Sequence, residues 1–237
     1  MEYLQDAIEV NKEALKKTFK QLKFVPILAI ILIVMNLAQN FTLGLLMTNL
    51  SGVNFLLGFV RYFIRVLFMS AIIAILSDIV LYDRFSLNRV FEGYVEFFNQ
   101  VSATLFVFVI LDYISYFVIT STQIALLITV YNIAIFIMMS VVYEQIYIAG
   151  RSGVDVFYKT FEFLKENILQ WILVLVLFVY LQTAVNTNLV ISSIDIKRLI
   201  STLIYSILLA FVFIYKGHLF NILYASSVRK RKFMRKF

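Results

Sequence analysis

The chain has no cysteine, one proline, one histidine and seven glycines in 237 residues. Without cysteine there is no disulfide scaffold, no thiolate metal site and no thiol nucleophile. A lone His218 excludes a multi-histidine metal centre. So little Gly and Pro leaves long helices unbroken and gives little material for a loop-rich fold. The glycine-dependent phosphate loop and dinucleotide fingerprint are missing, as are HExxH and GxSxG. No cofactor is expected and no catalytic set is visible, so an enzyme is not the expected class. A lipid-modifying activity that uses Asp or Glu is the weakest of three alternatives.

Charge is scarce as well. Only 15% of residues are charged, against about 25% in a soluble domain. Hydrophobic residues make up 62%, and mean hydropathy is +0.91. Too few polar residues remain to cover an apolar surface in water, so the chain needs lipid as its solvent. An all-α, polytopic membrane protein follows. Six stretches reach the roughly 20 apolar residues that span the hydrocarbon as helix: about 24–40, 55–82, 97–119, 123–149, 167–186 and 199–225. The runs are continuously apolar, whereas barrel strands would alternate. The whole chain, 1–237, reads as one six-span domain. No cleavage site precedes the first run, so that run is expected to stay as an anchor.

The net charge of +7 sits mostly at the two ends. Residues 1–23 form an amphipathic segment with Lys12, Lys16, Lys17, Lys20 and Lys23, and 227–237 form a polybasic tail. Lys and Arg mark the cytoplasmic side, so both termini are expected in the cytoplasm of a cell-membrane protein. Lys197 and Arg198, on the expected outer side, run against that bias but are outnumbered. In the tail, Arg229, Lys230, Arg231, Lys232, Arg235 and Lys236 are candidates for anionic lipid headgroups. Lipid suits them better than nucleic acid.

A weak repeat recurs at an offset of 67. Leu87, Val90, Phe91, Tyr94 and Phe97 match Val154, Phe157, Tyr158, Phe161 and Leu164. Leu4, Ile8, Leu15, Phe19 and Leu22 form a comparable stripe. These are helical spacings with one wet face, suited to the membrane interface. The expectation is three hairpins, each opened by an amphipathic lead-in helix. Any inner loop of a helix bundle can also look amphipathic, which is the plainer reading.

Ionisable residues inside spans are costly and mark candidate sites. Arg61 and Arg65 share a helix face in the second span, and Asp112 stands at a comparable height in the third. They read either as an outer anion or substrate site, or as snorkelling arginines beside a structural ion pair. Nearer the inner side are Asp78, Glu144, Lys216 and His218. Asp78 and Glu144 precede Phe91 and Phe157 by thirteen residues each, so they are expected to be counterparts. Two carboxylates facing Lys216 and His218 would make a proton relay or gate; the plain reading is local pairing with Arg84 and Arg151. Trp171 and Tyr143 or Tyr147 look like interface-belt residues.

The run Leu15–Lys23, reading L-K-K-x-F-x-x-L-K and feeding into Phe24–Asn40, is echoed at Arg89–Gln100 and Tyr158–Gln170. In topology and in this pattern the whole chain resembles six-span bacterial families related to the membrane part of glycerophosphodiester phosphodiesterases. No soluble phosphodiesterase domain follows the spans, so that activity is not implied, and no functional residue carries over. The expected function is therefore a membrane component that binds or moves a small molecule, ion or lipid. Partner membrane or ATPase subunits would supply any energy. The second alternative is a structural or assembly protein. Transport calls for a wet cavity lined by these charges, and scaffolding for a dry, closed bundle.

Overall fold

The computed structural model describes residues 2–35, 37, 54–122, 125–188, 196–226 and 230–231. They form α1 (Glu2–Lys20), α2 (Leu22–Met35, opening with a 3-10 turn), α3 (Asn54–Tyr82), α4 (Leu87–Thr122), α5 (Ala125–Tyr147), α6 (Val154–Asn188) and α7 (Ile196–Ala225). No strand occurs among the described residues. Among the described residues, five helices are long and apolar enough to cross a membrane, and six if the bent pair α1–α2 counts as one span. The expected all-α, multi-span architecture is what the chain adopts.

Length explains the lead-in segments. At about 1.5 Å per residue, α4 and α6, with 36 and 35 residues, run to roughly 50 Å, well beyond about 30 Å of hydrocarbon. The expected lead-in helices are thus present, but fused to their spans, because no Gly or Pro breaks the junctions. In α6 the junction is a kink. Asn167 leaves helical geometry at φ −126° and ψ 19°, and its Nδ2 donates to the Phe163 carbonyl at 3.0 Å. In the first unit the junction is a true break. Gln21 interrupts the helix, and α1 and α2 meet at 58°.

Residues 71–80 of α3 and 212–220 of α7 are buried on every side, as expected for helices that are apolar all round. These two stretches form the centre. Large parts of α4 and α5 are exposed, with Phe106, Ile110, Phe117, Val130 and Phe136 facing outward, toward lipid in a membrane. Among the described residues, α3 and α4 pack together extensively, across a boundary between units. Gly93 of α4 allows it: an added methyl would collide with the Ala74 side chain. Small residues of this kind let membrane helices approach closely.

The offset of 67 has a structural counterpart. Asp83 takes φ 51° and Gly150 takes φ 67°, the left-handed residue that closes many helices. Asp83 N donates to the Ile79 carbonyl and Arg84 N to that of Asp78; Gly150 N donates to Ile146 and Arg151 N to Gln145. All four pairs are related by 67. This shared cap corrects one expectation: the counterpart of Asp78 is Gln145, one residue after Glu144.

Candidate functional site

The inner cluster expected from the sequence is divided among three places. Glu144 of α5 and Lys216 of α7 come together. Lys216 Nζ lies 3.3 Å from Glu144 Oε2, and both side chains are 0% exposed. The ammonium donates to the Ser140 carbonyl at 3.0 Å. Three rings wall it in, with centroids at 4.2 Å (Phe178), 4.9 Å (Tyr143) and 5.0 Å (Phe213). A desolvated cation over aromatic faces gains about 2 kcal/mol or more. Trp171 Nε1 donates to Ser140 Oγ at 3.1 Å, which fixes the serine beneath the lysine. The site therefore draws on α5, α6 and α7.

The carboxylate is less well served. Neither oxygen of Glu144 has an aligned hydrogen bond among the described residues, nor do the neighbouring Gln145 Oε1 and Tyr147 hydroxyl. Orphaned polar atoms at such burial are few in natural proteins, and each asks for a reason.

Asp78 and His218 lie elsewhere. Asp78 pairs with Arg84 at 3.6 Å and borders a 360 Å³ hollow with Ser86, Asn88 and Glu92. His218 Nε2 bonds Gln21 Oε1 at 2.8 Å, and Gln21 Nε2 donates to the Ile79 carbonyl at 2.7 Å. With the amide oriented so, the carboxamide oxygen accepts and His218 donates. Gln21 thereby ties the α1–α2 bend to α3 and α7.

Of the outer group, the described side chains of Arg65 and Asp112 are not paired with each other by any described ion pair. Asp112 is exposed and accepts from the Tyr131 hydroxyl at 2.5 Å. Arg65 is exposed too. Arg61 lies on α3, with its side chain outside the described residues. Height along a helix was the only guide here, and it does not fix which face each residue takes.

In the tail, Arg231 departs from expectation. Arg231 is buried and grips Asp6 of α1, Nε to Oδ1 at 3.1 Å and Nη2 to Oδ2 at 2.9 Å. It also donates to the Ser226 carbonyl. Gln170 of α6 adds a 3.0 Å bond to the same carboxylate. Asn11 receives the Tyr215 hydroxyl and donates to the Gln170 carbonyl at 3.1 Å. Arg231 is thus a clamp between the chain ends, not an open headgroup ligand; a buried bidentate pair leaves it little to offer solvent. Lys230 is exposed. Arg229, Lys232, Arg235 and Lys236 lie outside the described residues.

Sequence reasoning missed Ser140, Phe178 and Phe213, and it misplaced Trp171 and Tyr147. Trp171 and either Tyr143 or Tyr147 were expected in an interface belt; Trp171 and Tyr147 are buried, and Tyr143 is half-buried against Lys216. Trp171 is fully enclosed, packed edge-on to Phe163 and Phe220, because its indole N–H finds Ser140 inside the bundle. It is the fifth residue of the expected span 167–186. No protein-family model, curated protein sequence or solved structure matches the chain.

Proposed function

We propose that this multi-pass protein binds or moves a small molecule, ion or lipid without catalysing a chemical step, with Glu144 and Lys216 as its charged centre. One observation carries the reading: a charge pair wholly buried among helices that are each apolar enough to span a membrane. Such charges are expensive there and mark function by default. A purely structural tie between the same helices is available more cheaply from apolar side chains. Glu144 Oε1, which lacks a hydrogen bond among the described residues, supports the reading further, since it leaves capacity for a water, proton or ligand when the helices part. In this view the structure is the closed state. The Lys and Arg bias puts both ends in the cytoplasm of a cell-membrane protein. Partner subunits would supply any chemical energy.

A structural or assembly role is the second reading. It is favoured by the complete enclosure of the pair and by the separate ties of Asp78 and His218.

The lack of native cysteine supplies a clean test. Ser140→Cys places one thiol under the lysine. In protein reconstituted into liposomes, a membrane-impermeant thiol reagent is expected to label it slowly, because the centre opens to water. No labelling over hours, with full labelling after unfolding, would give the case to the structural reading.

A further inference from the structure

The ends of the chain build a second site, apart from the buried pair. Glu13 and Lys17 of α1, Asn221, Ile222, Ala225 and Ser226 of α7, and Lys230 and Arg231 of the tail enclose a groove of 480 Å³. That volume lies within the range of small-ligand sites, roughly 300–1,000 Å³. Its lining holds three cations and one carboxylate. Arg231 forms a buried floor whose charge is answered by Asp6. Lys17 and Lys230 are exposed at the sides, and Glu13 holds Lys17 at 2.9 Å. The Asn221 carboxamide adds hydrogen-bonding capacity.

The position selects the ligand. The apolar span of α7 ends at Ala225, so the groove opens where that helix leaves the hydrocarbon. On its outward face α1 carries Leu4, Ile8 and Phe19, all exposed, an apolar stripe that has lipid as its natural neighbour. Cations at this depth meet phosphates, and tails beneath them meet apolar side chains. We propose that the groove is a binding site for the phosphate headgroup of an anionic membrane lipid, built jointly by the two chain ends. The site exists only while α1 and the tail are docked through Asp6 and Arg231. A headgroup held there therefore stabilises the docked arrangement by mass action.

The test uses the full chain in detergent. Native mass spectrometry measures binding of phosphatidylglycerol and of phosphatidylcholine with the same acyl chains. The expected result is tight binding of the first and weak binding of the second. Lys17→Gln with Lys230→Gln should weaken phosphatidylglycerol binding roughly 25-fold, from about 1 kcal/mol for each of two cations. Lys12→Gln with Lys16→Gln removes the same charge from the outer face of α1 and should leave binding intact. Glu13→Gln should tighten it by removing the one carboxylate in the lining. Equal binding of the two lipids would overturn the proposal by showing no headgroup selectivity, and equal loss in both lysine pairs would overturn it in favour of diffuse electrostatics. Competition by inorganic phosphate at millimolar concentration would overturn it in favour of a soluble anion.

Discussion

Glu144 and Lys216, 72 residues apart in sequence, face each other at 3.3 Å with no exposure of either side chain. Removing one partner of a buried pair strands the other charge. Glu144→Gln or Lys216→Met alone should therefore destabilise the protein by about 3–5 kcal/mol. Replacing both with Met should recover most of that loss. The single tryptophan, packed between Phe163 and Phe220, reports the melting through its fluorescence. A double variant as unstable as the sum of the singles would refute the coupling.

Asp6→Asn should weaken the grip of Arg231 and loosen α1 while the spans stay intact. The measurement is amide exchange followed by mass spectrometry. Peptides covering 2–20 should lose protection and peptides covering 66–80 should not. Arg231→Gln should give the same pattern, since it breaks the same contact. Uniform loss across the bundle would instead make the clamp part of the global core.

Two glycines set helix spacing. Gly217→Ala would place a methyl against the Tyr147 hydroxyl and 2.8 Å from Val80 Cγ2, and Gly93→Ala would drive one into Ala74. Overpacking of a core costs about 1–3 kcal/mol. Each variant should lose about that much stability and melt earlier. Gly150→Ala meets no neighbour, so its cost is confined to the left-handed backbone, roughly 1–2 kcal/mol.

The spans were legible because an apolar run of this length has few other uses. The lead-in helices were legible from the stripes around Leu4, Leu87 and Val154, and the turn at Gly150 repeats the one at Asp83 down to its hydrogen bonds. The site was legible in half. Glu144 and Lys216 could be named from their types and depth, but not paired. Pairing depends on rotation about each helix axis, which a continuously apolar sequence leaves undetermined. The aromatic wall was hidden for a related reason. Among 24 Phe and 14 Tyr, nothing local distinguishes Phe178 and Phe213 from rings that face lipid. Asp6 and Asn11 were overlooked because they sit in a segment read for its apolar stripe. The opposite face of that helix is the one that docks.

The contact between Asp6 and Arg231 joins residues 225 positions apart. On a ribosome, α1 is made well before the residues that anchor it. Until synthesis passes residue 215 α1 lacks Tyr215, and until it passes residue 231 it lacks Arg231. It waits at the bilayer surface on its own apolar stripe while the other helices insert. The seat closes only once residue 231 is in place, so a nascent protein cut short before it displays a loose basic helix.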